Sequence, residues 1–310
     1  VKKRQGSLPR QFRRTRVLIV GCGNVGLRIV VQAHGKLALI GTNRVASHEV
    51  RAAGARAVAL DLDAAQPRRQ RIAALADWVI YLAPPPNNQN AQGTGDPRLK
   101  RFLAAWRAAA ATSAGKKRLT YVSTSGVYGD CGGAWVSESR PVNPQSDRAK
   151  RRVQAEQLVR NVGRRGIASM ILRAPGIYSE HSLPLDRLKA GTPALVAEQD
   201  VYTNHIHADD LARICVAALF RSRASRTYNA SDDSQMKMGD YFDAVANAFT
   251  LARAPRLPAA ELKAAVSPML WSFMRESRRL VNTRLKKELR VRLAYPTVHE
   301  GIAAAKSIKI

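Results

Sequence analysis

The run RVLIVGCGNVGLRIVVQAHG, from Arg16 to Gly35, decides the architecture of this chain. Arg16–Val20 ends on four consecutive apolar residues rich in β-branched side chains, the pattern of a buried strand. Gly21, Gly23 and Gly26 follow in the order G-x-G-x-x-G, and the apolar spacing then turns helical. Val25, Ile29, Val30 and Ala33 fall on one side, and Gly35 suits the left-handed position beyond the helix end. In a dinucleotide site the first glycine allows the tight turn, the second lets the backbone approach a pyrophosphate, and the third lets helix and strand pack closely. The diphosphate would rest on free N–H groups at the helix N-terminus, where the helix dipole favours negative charge. Gly21, Gly23, Asn24, Val25 and Gly26 are therefore the first expected cofactor contacts. The plainer reading is an ordinary tight turn; the order strand, glycines, helix favours the cofactor.

Around this unit the alternation continues. Strands are expected at Leu37–Ile40, Ala55–Leu60, Trp78–Ala83, Arg118–Ser123, Ala168–Leu172 and Thr227–Ala230. Helices are expected at His48–Ala53, Arg68–Leu75, Leu99–Ala111, Gln145–Val162 and Asp209–Phe220, with a polar loop at Asn88–Pro97. Strands alternating with helices give an α/β fold, a Rossmann-type doubly wound parallel sheet of about seven strands with helices on both faces.

At 310 residues the chain is long enough for a large domain and a smaller one. Its net charge is +28, of which the first sixteen residues supply +7 without a single acid. Residues 1–15 are expected to form a basic arm, loosely attached, with no apolar run to make a secretory signal or membrane anchor. The remaining charge, much of it arginine on Ala-rich helices, attracts phosphate-bearing ligands and, non-specifically, nucleic acid. No basic run is interleaved with aromatics, so no specific nucleic-acid partner is expected. No run of about eighteen apolar residues is present, so neither is a membrane span. Cys22, Cys131 and Cys215 are isolated and lack metal-ligand spacing, which fits a reducing cytoplasm.

Cofactor type is decided after the second strand. An NAD site usually places Asp or Glu about 20 residues beyond the glycines, on the ribose 2′-hydroxyl. Here the sequence is Gly41-Thr42-Asn43-Arg44, acid-free until Glu49. Arg44 offers a fork of donors to a 2′-phosphate, with Asn43 beside it, so NADP is expected in preference to NAD. The competing reading is that Arg44 is one more surface arginine.

Four further segments carry a family resemblance: YVSTSGVYGD (Tyr121–Asp130), LRAPGIYS (Leu172–Ser179), NHIHADDLA (Asn204–Ala212) and TYNAS (Thr227–Ser231). With the closing RRLVNTRLKKELRVRLAYPTVHEGI (Arg278–Ile302), they resemble the extended short-chain dehydrogenases/reductases, the nucleotide-sugar epimerase and dehydratase group. The resemblance runs from Arg16 to the end. It implies a dinucleotide-binding domain of residues 16–178 and 206–232, and a smaller substrate domain of 179–205 and 233–310. The implied substrate is a nucleoside-diphosphate sugar or a related phosphate-bearing small molecule. Further cofactor contacts are implied at Asp61, Leu62, Ala83, Pro84, Ser123 and Ala174. The helices Leu99–Ala111 and Gln145–Val162 correspond to the family's dimer bundle, so a homodimer is a further expectation.

The family's chemistry uses a Tyr phenol as proton carrier, a Lys four residues later that lowers its pKa, and a Ser or Thr that holds the substrate oxygen. Thr124 matches the last. Alignment on Glu156 puts Arg148 where the Tyr should be and Arg152 where the Lys should be, a pattern similar to atypical members of the superfamily. Arg148 cannot be a general acid–base near neutrality; Arg152 could still hold ribose or phosphate, or both could form a plain basic helix face. Tyr128, Tyr178 and Arg279 are the candidates for substrate contact, with Arg275 and Arg278 beside Arg279. His205 and His207 share a face of an extended segment, where a structural role outweighs a metal site. Asp209 or Asp210 is expected to cap the next helix. Three functions remain open: an NADP-linked epimerase- or dehydratase-like oxidoreductase with altered acid–base residues, a non-catalytic dinucleotide-binding or redox-sensing protein, and, on charge alone, a basic nucleic-acid-binding protein.

Overall fold

The structure is a computed structural model describing residues 14–64, 68–86, 95–109 and 116–308. The basic arm up to residue 13 and most of the Asn88–Pro97 loop lie outside the described residues. Seven strands form the central sheet: β1 (Arg16–Val20), β2 (Ala38–Asn43), β3 (Arg56–Ala59), β4 (Trp78–Tyr81), β5 (Arg118–Thr124), β6 (Ala168–Ala174) and β7 (Arg226–Asn229). All neighbours are parallel, in the order β7-β6-β5-β4-β1-β2-β3. The order reverses between β1 and β4, and ligands of open parallel sheets bind in the crevice at such a switch point.

Side chains alternate across a strand, so β1 feeds two cores. Val17 and Ile19 pack with α1 (Asn24–Ala33) on one face. Leu18 and Val20 pack on the other with α4 (Pro97–Ala108) and α5 (Asp147–Gly163), through Phe102, Trp106 and Val159. Both faces of β1 are closed to solvent, which is why it reads as an unbroken apolar run. The short helices α2 (His48–Ala52) and α3 (Arg69–Ala73) join the edge strands, and a longer helix, α6 (Ala208–Arg221), lies beside α1 and contributes Leu211, Ile214 and Ala218.

A separate core gathers residues from 178–201 and from 236–305, including Tyr178, Leu195, Phe242, Val245, Leu262 and Ile302. The helix Thr283–Leu289, expected in the smaller unit, instead joins the sheet's core through Leu285 and Leu289. Between the two cores Gly176–Tyr178 pairs in parallel with His205–His207.

Several boundaries differ from expectation for local reasons. The fourth strand stops at Tyr81 rather than Ala83 because Leu82 and Ala83 both donate to the Val20 carbonyl (2.8 and 3.1 Å), turning the chain away. The sixth strand runs on to Ala174, paired with Thr124 at the end of β5. Helix α5 starts after Ser146, whose hydroxyl accepts from the Ala149 N–H at 3.2 Å. Helix α6 is capped by neither Asp209 nor Asp210: His207 Nδ1 accepts from the Asp209 N–H at 3.2 Å. Asp210 is buried and takes the N–H groups of Ala294 and Tyr295, both at 2.9 Å.

Candidate functional site

The three glycines stand in three different environments. Gly21 has φ +84°, and a Cβ there would lie 2.8 Å from the Ala83 nitrogen, so only glycine fits the turn. A Cβ on Gly26 would meet Cys22 Sγ of the turn at 3.0 Å and Ile19 Cγ2 of β1 at 3.4 Å, so the helix packs closely on turn and strand. A Cβ on Gly23 would meet nothing within 4 Å. The protein itself therefore does not require glycine at position 23, which faces open space. Gly23 is also the N-cap of α1, which has neither a side-chain cap nor an acid in its first turn. Four N–H groups at such an end lack intrahelical acceptors, and the dipole there favours an anion.

Gly21 and Gly23 open onto a hollow of about 330 Å³, lined also by Asn43, Arg44, Asp61, Leu62, Ala83 and Pro84. The ends of four strands thus bring together most of the residues expected at the cofactor. Asn43 is anchored by donating to the Cys22 carbonyl at 3.1 Å, tying the β2 end to the glycine turn. Arg44 lies 3.6 Å from Asp63 and is 73% exposed. Arg98, which sequence reading passed over, belongs to the same wall. It donates to both oxygens of Asp63, at 2.7 and 2.5 Å, and to the Pro84 carbonyl at 3.0 Å. That bidentate pair holds the Asp63 carboxyl below the usual carboxylate range. The hollow suits the adenosine and diphosphate end of a dinucleotide. Asn24 and Val25 lie on the first turn of α1 outside it, and Ala174 is buried at the end of β6.

A second cavity, about 550 Å³, lies between the carboxyl end of the sheet and the smaller core. Thr124, Arg148, Tyr178, His205, Phe273 and Arg278 are among its walls. Thr124 is steadied by accepting from the Gly126 N–H at 3.2 Å. The guanidinium of Arg148 sits 3.9 Å over the Phe273 ring, and burial draws its pKa down. Burial also pushes His205 down to about 4, so its imidazole is neutral around pH 7. Its ring packs tilted against Tyr241, the two centres 4.2 Å apart. Tyr178 and Tyr241 are pushed up by burial and stay protonated. Among the described residues no group of three or more His, Cys, Asp or Glu could hold a metal ion.

Arg148 and Arg152 stand one helical turn apart, yet they are used differently. Arg152 Nη1 donates to the Tyr121 hydroxyl at 2.9 Å and to the Val122 carbonyl at 3.0 Å. Below it Glu156, 1% exposed, accepts from Ser123 at 2.8 Å and from Arg173 at 3.0 and 2.7 Å. Ser123 therefore turns into the core while its neighbour Thr124 lines the cavity. This pin between α5, β5 and β6 sets where Arg148 and Arg152 emerge.

Two expected substrate contacts lie elsewhere. Tyr128 is buried beneath the site, its hydroxyl donating to Asn229 Oδ1 at 2.8 Å and its ring covered by Arg173 at 4.6 Å. Arg279 lies between the rings of Trp135 and Tyr202, at 4.8 and 4.7 Å, and its Nε donates to the Gly133 carbonyl. Its neighbour Arg278 lines the cavity instead, paired with Glu276 at 2.8 Å. Arg28, also missed from sequence, reaches from α1 to Glu180 and, at 2.6 Å, to Asp209, joining the glycine-turn helix to the far side of the cleft.

A parallel sheet with a glycine-turn hollow at its switch point and a second cavity alongside defines a dinucleotide-binding α/β protein. Residues 17–231 match the family model described as the NAD dependent epimerase/dehydratase family. The chain belongs to that family. Among solved structures, a functionally unknown conserved protein from Silicibacter pomeroyi is 28% identical, with a TM-score of 0.79 over 94% of this chain and 98% of that one. A UDP-glucuronic acid 4-epimerase from Bacillus cereus in complex with NAD is 15% identical, with a TM-score of 0.73 over 94% and 96%. A human epimerase family protein with NADPH is 14% identical, with a TM-score of 0.70 over 95% and 100%. None of the curated proteins matches this chain.

Proposed function

We propose that this protein binds NADP in preference to NAD across its glycine turn and acts as an epimerase- or dehydratase-like oxidoreductase on a nucleoside-diphosphate sugar or a related phosphate-bearing substrate. The observation that carries the cofactor reading is Gly23, open to space at an uncapped helix N-terminus beside the strand-end hollow. Gly21, Gly23, Asn24, Val25 and Gly26 would hold the diphosphate. Asn43, Arg44, Asp61, Leu62, Ala83 and Pro84 would surround the adenosine, and Ala174 would approach the nicotinamide end. A bound nicotinamide would supply a hydride donor or acceptor. Thr124 would hold the substrate oxygen, and the neighbouring cavity would seat the sugar. Structural relatives solved with UDP-glucose support a nucleotide-sugar substrate.

Arg148 and Arg152 would occupy the positions of the family's Tyr and Lys. A guanidinium holds its proton throughout the neutral range, so Arg148 would bind rather than transfer protons. That feature favours a second reading, a protein that holds dinucleotide without turnover. Nicotinamide absorbance with a panel of nucleotide sugars separates the two: hydride exchange supports the enzyme, and tight cofactor binding without exchange supports the sensor. Three unpaired cysteines, two of them buried, support a reducing compartment. A homodimer through the helices α4 and α5, as the family resemblance implies, belongs to the same proposal.

The cofactor preference has its own test. A charge-assisted contact contributes about 1.5–3 kcal/mol, so Arg44 should confer roughly a tenfold to hundredfold preference for NADP. Arg44→Ala is expected to weaken NADP by that factor and leave NAD nearly unchanged, measured calorimetrically at fixed salt. Equal losses for both would make Arg44 a bystander. For nucleic acid, binding that falls steeply with salt and shows no sequence preference is expected; a reproducible consensus from a selection assay would contradict it.

A further inference from the structure

We propose that Arg148 is the binding group for a carboxylate carried on the sugar end of the substrate, beside Thr124; this rests on the nucleotide-sugar reading above. The cation is built into the cavity wall, its guanidinium carbon 3.9 Å from the centre of the Phe273 ring. Held over that ring, its planar fork of donors matches a planar carboxylate.

The surroundings leave those donors available. Arg152, one turn along, already donates to Tyr121 and Val122. Among the described residues Arg148 makes no hydrogen bond or ion pair of that kind, its one assigned partner being the Phe273 ring. The nearest cavity acid in influence, Glu276, is paired with Arg278 at 2.8 Å. Arg278 in turn is anchored to the Gly129 carbonyl at 2.7 Å, so that pair is fixed to the protein. Asp186 is the other acid of the wall, and Arg187 and His181 accompany it. A half-buried cation that has Arg151, Arg152 and Arg278 as like-charged neighbours, and whose nearest acid Glu276 is already paired with Arg278, has lost part of its hydration without a counter-charge of its own, a cost that an incoming anion removes. A neutral hydroxymethyl group at the same place would leave that cost standing. Discrimination between the two groups is the property the geometry points to.

The matched probes are UDP-glucuronic acid and UDP-glucose, which differ by a carboxylate in place of a hydroxymethyl group. Each is titrated calorimetrically into NADP-saturated protein at fixed salt, using wild type, Arg148→Gln and Arg148→Lys. Wild type should prefer the acid by about ten- to hundredfold, the range of one charge-assisted contact. Arg148→Gln should abolish the preference while NADP affinity stays within about twofold of wild type by the same measure. Arg148→Lys, a charge without the fork, should retain part of it. Equal wild-type affinities, or a preference that survives in Arg148→Gln, would overturn the assignment. If neither UDP-sugar binds, the nucleotide-sugar reading fails separately, and free glucuronate against glucose becomes the probe pair. Glucuronate binding that disappears in Arg148→Gln would then sustain the anion site, and binding indifferent to Arg148 would refute it.

Discussion

Gly23→Ala is expected to lose dinucleotide affinity by at least about a hundredfold while folding as wild type does. The added methyl meets no protein atom within 4 Å, and the negative φ of −87° lies outside the left-handed region that favours glycine. Its one intrinsic cost is a weaker helix cap, about 1 kcal/mol at most. A diphosphate resting on the α1 N-terminus would have to move away from the same methyl, weakening two or more charge-assisted contacts of about 1.5–3 kcal/mol each. Losing even the lower pair gives roughly two decades in affinity. The neighbouring glycine provides the contrast. Gly21→Ala forces a left-handed residue with its Cβ 2.8 Å from the Ala83 backbone, so it should unfold the turn and lose stability as well as binding. Calorimetry and urea denaturation on both variants decide the matter. A stable Gly23→Ala protein that binds NADP normally would remove the cofactor from this turn.

The same contrast shows what could be read from the residues alone. Val17 to Val20 announced a strand because a parallel sheet buries both faces and leaves an unbroken apolar run. The glycine spacing carried the turn because backbone geometry is local. Thr124 and Ser123 illustrate the limit: adjacent strand residues face opposite ways, so one lines the cavity and the other bonds Glu156, 33 residues distant. Arg278 and Arg279 repeat the lesson, the first paired in the cavity and the second held between Trp135 and Tyr202. Tyr128 was misplaced because its partner, Asn229, is 101 residues away in sequence. Arg98 escaped notice for a like reason, since its carboxylate partner lies 35 residues earlier. Motifs report the backbone; which side chain faces the ligand is settled by contacts that no spacing encodes.

Glu156→Gln should be strongly destabilising, costing about 3–5 kcal/mol, the range for breaking a buried ion pair from one side. Glu156 is 1% exposed, and its two oxygens take Ser123, both accepted Arg173 donors and Arg160 at 3.2 Å. Glutamine keeps the shape but not the charge, leaving the buried Arg173 without its counter-ion. A drop in Tm of roughly 5–8 °C is expected for a chain of this size. The paired replacement Glu156→Gln with Arg173→Met removes the stranded cation and should recover part of the loss. Acid supplies an independent check. Arg173 and Ser123 hold the Glu156 carboxyl below its ordinary value of 4.5 despite burial. The folded state therefore binds fewer protons than the unfolded chain below that value, and the pair's contribution, full above it, is lost as pH falls through the depressed folded pKa. Wild type and Glu156→Gln should thus differ most near neutrality and converge in acid, where the protonated glutamic acid also leaves Arg173 unpaired. Denaturant titrations at a series of pH values measure this directly, and a gap that stays constant into acid would show that the charge on Glu156 is not what holds α5 to the sheet.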